Sequence, residues 1–430
     1  RRARGLAAVQ LRRGPPLGRR WAAAAGAPRV LEGLRVLELA SVLAGPTVGQ
    51  FLGELGADVV KVENLSTRGD VTRSWKLTQE PPEAAGGVTA YFSCCNLGKR
   101  SVAVDARRPE GLELLRGLAK ASDVVLASYK PGDARKLGLD AESLRALNPR
   151  LIYAELTGYG AEDARVGYDA VIQAEAGFTY INGEADGGPV KMPVALVDLL
   201  AAHQLKEGIL VALLCRERTG QGGLVSTSLL AAAVASLANQ ATAFLKAGVV
   251  PQRLGSEHPS ICPYGSVLEA ADGLPLVLAV GSDAQFRQLC ELLGCPELAS
   301  DQRFAKNKDR VVHRAQLQPL LRARVAAAGP REALLRECSR RKIPAGAVND
   351  MAAVFAQPGA QALVVRGGEG QFLGTSEVAW TGAGAAPPGS AARPPPLYGQ
   401  HTSEVLRELL GLGDARISAL AAEGVIHLCP

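Results

Sequence analysis

Strand-like and helix-like stretches alternate through the first 160 residues, and this alternation restricts the fold more than any other feature of the chain. Residues 31–63 hold an apolar run (34–39), a turn (40–46), a helical segment (47–55) and a second apolar run (57–62). Further runs at 100–104, 123–127 and 151–156 are separated by helical segments at 109–121 and 141–148. Strands that alternate with helices at this spacing are joined by crossovers and lie parallel, so the pattern predicts an α/β fold with a doubly wound, Rossmann-like sheet. The turn after the first strand reads ALASVLAGP, so the GxGxxG fingerprint of a dinucleotide site is absent. Glu63 nonetheless ends the second strand about where such folds place a ribose-binding carboxylate. Gly368-Glu369-Gly370 has a similar glycine spacing but stands in a loop context. A nicotinamide dehydrogenase is therefore disfavoured.

Beyond residue 200 the pattern changes. Apolar spacing is helical over 203–218 and 224–246, and a new unit starts near 255. In it, runs at 265–269 and 276–280 flank an Ala271-Asp272-Gly273 turn, and helical segments follow at 284–293 and 314–328. The expected organisation is a leader (1–29), a first segment of a large domain (30–225), a linker helix (226–254), a small α+β domain (255–350) and a return to the large domain (351–430). Residues 381–396 (TGAGAAPPGSAARPPP) read as a flexible surface loop, and a terminal helix is expected over 402–410. The most apolar stretch, 224–245, is interrupted by Ser226, Thr227, Ser228, Asn239 and Gln240. It reads as a helix buried in protein rather than a span of about 20 apolar residues, and no membrane association is expected.

The formal charge of +6 is unevenly spread. Eight arginines and no acidic residue lie within residues 1–29, so the remaining 401 residues carry about −2. An acid-free, arginine-rich leader with alanine and leucine has the composition of a mitochondrial presequence and predicts a matrix location. The mildly acidic body lacks the basic stripe of a nucleic-acid binder, so no nucleic-acid partner is expected. Eight cysteines without a CxxC pair, and five histidines outside any metal-ligand spacing, predict no bound metal.

One charged residue is out of place. Asp198 follows the apolar run 194–197 and precedes Leu199 and Leu200. By itself it suits a helix N-cap, which favours aspartate; an aspartate at a helix start also stands beside N–H groups able to stabilise a developing oxyanion.

Several blocks in register resemble one family, the class III CoA-transferases. LEGLRVLELASVLAGP, GADVVKVE and GDVTRSW are similar to its amino-terminal block. NLGKRSVAVD, SDVVLASYKPG, LNPRLIYAELTGYG and YDAVIQAEAG are similar to its middle. VDLLAAHQLKEGILVALLCRERTGQG resembles the block that carries the nucleophile, and RFAKNKDRVVHR, KIPAGAVNDM and LYGQHTSEVLRELLG resemble its carboxyl-terminal blocks. Within the family the wording is nearest the mitochondrial branch that moves CoA from succinyl-CoA to a dicarboxylate such as glutarate, with 3-hydroxy-3-methylglutarate as a further acceptor.

The resemblance implies an interlocked homodimer with the site between domains of both chains, CoA thioesters and dicarboxylic acids as substrates, and no permanently bound cofactor. It implies that Asp198 is the catalytic nucleophile, forming an aspartyl anhydride and then an aspartyl-CoA thioester. Tyr168 and Asp169 match a tyrosine–acidic pair beside the thioester. The racemase branch carries histidine at the Tyr168 position, and tyrosine, with an ordinary pKa near 10, is a poor base at neutral pH. Transfer is thus favoured, with a racemase-like enzyme or an inactive CoA-binding homologue as alternatives. The CoA contacts implied by position are Leu43 and Ala44, Val104 to Arg107, Ser128, Tyr129, Lys130 and Lys136. Arg107, Lys130 and Lys136 suit phosphates, and Tyr129 suits adenine. A family arginine aligns with Asn64, for which Arg68 or Arg73 is the expected substitute, and a family glutamine is replaced by Leu43. Residues 253–265 (RLGSEHPSICPYG) resemble an HPxxxPY stretch, with His258 and Tyr264 as substrate candidates.

Overall fold

The computed structural model describes residues 29–80, 88–382 and 393–429. The expected leader, apart from Arg29, and most of the expected loop at 381–396 lie outside them. Seven strands form the main sheet: β1 (Arg35–Leu39), β2 (Asp58–Asn64), β3 (Arg100–Val104), β4 (Val124–Ala127), β5 (Ile152–Thr157) and β6 (Leu224–Ser228), joined by β12 (Ile426–His427). Their order is β12-β3-β2-β1-β4-β5-β6, all parallel except β12, which runs antiparallel to β3. The expected α/β sheet is therefore present, with a doubly wound strand order. Its inner strands are covered on both faces: β3 and β4 are buried throughout, and the charged Glu38 of β1 and Lys61 of β2 are buried with the apolar residues around them.

Alternate residues serve opposite faces. Val36 packs with Val48, Phe51 and Leu52 of the Ala44–Glu54 helix and with Ile209 of the long Leu196–Thr219 helix. Leu37 packs on the other side with Leu115 of the Pro109–Lys120 helix and Leu406 of the Thr402–Leu410 helix. The chain winds to one side through β2 and β3, then returns to the other through β4, β5 and β6. The carboxyl ends of β1 and β4 thus form the switch point at which open α/β sheets leave a crevice.

The segment 226–254 corrects the sequence reading. It is not one linker helix: β6 extends to Ser228 and pairs with β5, Ser228 then caps the Leu229–Ala235 helix, and the Ala238–Ala247 helix follows at 74° to it. LVSTS alternates in burial as an edge strand does, which a helical reading of its apolar residues overlooks. Among the described residues no single helix is long and apolar enough to cross a membrane, although that bent pair would be by length and composition.

An antiparallel sheet of β7 (Tyr264–Glu269), β8 (Pro275–Ala279) and β9 (Ala345–Ala347) has its own core, which includes Leu268, Leu278, Phe286, Phe304 and Leu321. The turn between β7 and β8 places Gly273 at φ 74°, a conformation glycine adopts without Cβ strain. A hairpin of β10 (Val364–Arg366) and β11 (Phe372–Thr375) contains the Gly368–Gly370 spacing in its turn, and Gln50 donates to the Thr375 carbonyl at 3.0 Å.

Candidate active site

Asp198 stands in the first turn of the Leu196–Thr219 helix, whose buried Val197, Ala201, Ala202, Leu205 and Ile209 fasten it to the first core. Each fully buried Val, Leu or Ile there contributes about 1.5–3 kcal/mol, so the carboxylate is carried on a rigid element. It is not the N-cap: Ala195 holds that position and offers no side-chain cap. The cap comes from elsewhere in the chain. Asp169 Oδ1 accepts the Val197 N–H at 2.8 Å, and Asp169 Oδ2 accepts Gln173 Nε2 at 2.8 Å. Gln173 also receives the Met192 N–H at 2.9 Å, which ties down the strand of chain leading into the helix. An aspartate at the N-terminal end of a helix is favoured by the exposed N–H groups there, and here Asp169 takes the N–H while Asp198 keeps its oxygens for the cavity.

That cavity, of about 210 Å³, is lined by the 41–45 turn after β1, by Ser128–Pro131 after β4, by 165–168, and by Asp198 and Leu229. A second cavity of about 350 Å³ shares Ser41, Ser128 and Tyr129 with it and reaches Asn64, Val104 and Arg107. Through these shared residues the two join in one groove across the carboxyl ends of β1 and β4, with Asp198 at the first cavity. Of the expected residues, Leu43, Ala44, Ser128, Tyr129, Lys130, Tyr168 and Asp198 meet in the first cavity, and Asn64, Val104 and Arg107 in the second. Arg107 is 68% exposed and is oriented by Asp105 at 2.8 Å. Burial pushes the Tyr129 phenol up to about 12.

Five expected residues are not brought to the groove. Arg73 is buried in a bidentate pair with Glu63 (2.6 and 2.8 Å), donates to the Pro396 carbonyl and stacks on Phe92 at 3.7 Å. Glu63, in the wall of the second cavity, has its oxygens engaged within the protein, accepting from Arg73, Ser101 and the Asp70 N–H. Lys136 lies exposed beside Asp133 at 2.7 Å and lines neither cavity. His258, in the segment before β7, and Tyr264, the first residue of β7, contact each other edge-on with ring centroids 5.4 Å apart and line neither cavity. Asp169 stands behind Asp198 rather than at the cavity surface.

The structure adds residues that the sequence did not single out. Arg165 lines the Asp198 cavity, stacked on Tyr159 at 3.8 Å and paired with Asp163 and Glu175; its place three residues before Tyr168 was the available signal. Tyr91 is raised to about 12 by burial and then by the charges of Asp198 and others, which places it within electrostatic reach of the carboxylate. Asp198 itself is pushed up to about 7, first by burial and then by the neighbouring Asp169. A carboxylate so poorly solvated is a stronger nucleophile than one in water, and a neutral pKa in a crevice is a mark of a reactive group. Among the described residues no group of three or more His, Cys, Asp or Glu is placed to hold a metal.

The model of CoA-transferase family III matches residues 31–402. A succinate–glutarate CoA-transferase of Agrobacterium fabrum is 41% identical, covering 88% of this chain and 95% of that protein. The succinyl-CoA:glutarate CoA-transferase of Homo sapiens is 35% identical, covering 92% of this chain and 90% of that one. A CAIB/BAIF family protein of Brucella suis superposes with a TM-score of 0.76 at 39% identity, over 89% of this chain and all of the other (100%). With the family model spanning most of the chain and Asp198 standing in the crevice of its sheet, the protein belongs to CoA-transferase family III.

Proposed function

We propose that the chain moves CoA from succinyl-CoA to a dicarboxylate, with glutarate as the first acceptor and 3-hydroxy-3-methylglutarate as a further one, by covalent catalysis at Asp198. The observation that carries this reading is a desolvated carboxylate, poised near neutral pH, in the crevice at the sheet's switch point. The glutarate transferases among its relatives support the choice of acids. An Asp198 oxygen attacks the succinyl thioester carbon, forming a mixed anhydride and expelling CoA thiolate. The thiolate attacks the aspartyl carbonyl and releases succinate, leaving an Asp198–CoA thioester. The acceptor carboxylate then attacks that carbonyl, again expelling the thiolate. Attack of the thiolate on the acceptor's acyl carbon gives the new CoA ester and restores the Asp198 carboxylate. The acyl activation is never exposed to bulk water, which is what separates transfer from hydrolysis.

The groove suits CoA, with Arg107 and Lys130 as phosphate partners and Tyr129 between them as an adenine-facing wall. Among the described residues lining the Asp198 cavity there is no histidine, which supports transfer over racemisation. Apolar side chains exposed on Val211, Leu214, Phe244, Leu245, Val249 and Val250 support a homodimer, and the composition of residues 1–29 supports a matrix location.

The test is a panel of acceptors with succinyl-CoA as donor: glutarate, 3-hydroxy-3-methylglutarate, malate, oxalate and carnitine. Glutaryl-CoA should form fastest and carnitine should not react. Absence of transfer to any dicarboxylate, or deuteration at the α-carbon of a 2-methylacyl-CoA in heavy water, would overturn the reading.

A pH dependence follows from the same carboxylate. The attacking form is ionised, so kcat/KM should rise with pH through about 7 and level off above it. Asp169→Asn removes the negative charge that helps to hold the Asp198 proton, while its amide oxygen can still accept the Val197 N–H. The midpoint of that variant should move to lower pH; an unmoved or higher midpoint would show that Asp169 does not act on Asp198 through charge.

A further inference from the structure

The wall of the Asp198 cavity formed by residues 41–45 is not a relaxed loop. Val42 has φ 73°, in the left-handed region, which a β-branched side chain strongly disfavours. The turn is held from below at four points. Lys61 Nζ donates to the Ala40 carbonyl at 3.0 Å, and Lys99 Nζ donates to the Pro46 carbonyl at 2.8 Å, so a lysine grips each end. Between them the Asp70 carboxylate accepts the Val42 N–H, at 3.2 and 3.3 Å to its two oxygens, and Cys95 Sγ donates to the Val42 carbonyl at 3.5 Å.

The charged groups that grip the turn form one network. Lys61 pairs with Asp70 at 2.9 Å and with Glu38 at 3.0 Å, and Lys99 pairs with the other oxygen of Glu38 at 2.8 Å. All four side chains are at most 1% exposed. Two cations and two carboxylates balance, and Thr72 adds an N–H and a hydroxyl to Asp70. Buried ion pairs are weak devices for stability, because the desolvation of both charges offsets most of their attraction. A network that converges on the backbone of the one disfavoured residue in the cavity wall has a different use. We propose that Asp70 and Lys61 are positioning residues for acyl transfer, holding Val42 left-handed and so setting the 41–45 wall against which Asp198 reacts. The proposal rests on Asp198 as the nucleophile and adds the part of the molecule that shapes the space in front of it.

The test uses Asp70→Asn, which keeps the shape and removes the charge, with and without Val42→Gly. Glycine adopts a positive φ at no steric cost, so it should relieve a defect in holding the turn and nothing else. In the Asp70→Asn enzyme kcat should fall about 10²-fold, the loss expected from a misplacement near 1 Å, with KM for the acyl-CoA donor changed much less. The double variant should regain at least about tenfold of that kcat. Wild-type kcat in Asp70→Asn, or a folded double variant with no recovery, would overturn the proposal. Should Asp70→Asn fail to fold, Thr72→Val loosens Asp70 more gently by removing the 2.8 Å hydroxyl bond. It should show the same pattern, a smaller loss of kcat that Val42→Gly relieves, and absence of that relief would count against the proposal. Mass spectrometry of the Asp198–CoA adduct separates the two readings. No adduct in the wild type would sink covalent catalysis, whereas an adduct that forms at the normal rate in Asp70→Asn would sink the positioning role alone.

Discussion

Asp198→Asn should abolish CoA transfer and, at pH 8, make the protein more stable. The first effect follows from removing the proposed nucleophile, for which losses of about 10⁴–10⁶-fold in kcat are expected. Binding of CoA should survive, because the groove beyond Asp198 is built from β1, β2 and β4 ends that the substitution does not touch. The second effect is a matter of linkage. The carboxyl has an ordinary value of 3.8 and is raised to about 7 in the fold, so between about pH 4 and 7 the native state binds a proton that the unfolded chain has released. Stability therefore falls as pH rises through that window, and above pH 7 the full penalty of an ionised, desolvated carboxylate is present. Asparagine removes it. The gain at pH 8 should be about 2–4 kcal/mol after allowance for partial exposure, and it should vanish below about pH 4. Denaturant unfolding at both pH values, beside a turnover assay, is the measurement. Retained turnover would remove Asp198 from the mechanism, and a loss of stability at pH 8 would show that its environment is not the desolvated one described.

Gly49→Ala should be among the most damaging single changes outside the site. Helix propensity alone argues the opposite, since alanine is favoured over glycine in a helix interior by about 1 kcal/mol. Gly49, however, faces the buried network. A Cβ there would lie 1.9 Å from Glu38 Oε2, 3.1 Å from Glu38 Cδ and 3.3 Å from Lys99 Cε. Glu38 cannot step aside, because one oxygen holds Lys61 and the other Lys99. The Ala44–Glu54 helix must shift or an ion pair must open, and breaking a buried pair costs about 3–5 kcal/mol, well above the propensity gain. Poor soluble yield, or a denaturation midpoint lowered by that amount, is expected. A variant as stable as the wild type would mean that the helix and Glu38 separate more easily than their packing indicates.

Parts of this were legible in the chain itself. The alternation of strands and helices located β1 to β5 because a strand buried on both faces is written mostly in apolar residues, even though β1 to β3 also bury Glu38, Lys61 and Ser101. Asp198 stood out because a carboxylate between apolar runs conflicts with its neighbours, and conflicts of that kind gather at functional sites. The residues around it were harder to read. Arg73 was, with Arg68, an expected substitute for a CoA-contacting arginine, yet it pairs with Glu63, ten residues away, and donates to the Pro396 carbonyl, 323 residues away. Nothing local distinguishes a cation held in the core from one waiting for a ligand. Asp169 was placed beside the thioester by resemblance; its bond to the Val197 N–H, 28 residues away, adds a capping role that no local pattern records. The stretch 224–228 was taken into a helix because apolar residues in a short run fit either period, and only pairing with β5 decides between them.

Sequence alone, through its periodicity and the blocks it shares with a family, determined the α/β class and the doubly wound parallel sheet, and singled out Asp198 as the candidate nucleophile. These depend on residue types at short spacing, which a linear text records. Tertiary structure decided the rest: that Asp198 is raised to about 7, that Val42 is held left-handed, and that Arg165 and Tyr91 stand near the carboxylate while Arg73 and Lys136 do not. Desolvation and Coulomb energies depend on distances through space and on what excludes water, and the groups that set them here come from positions as far apart as Glu38, Lys61, Asp70 and Lys99 for the turn, and Asp169 for Asp198.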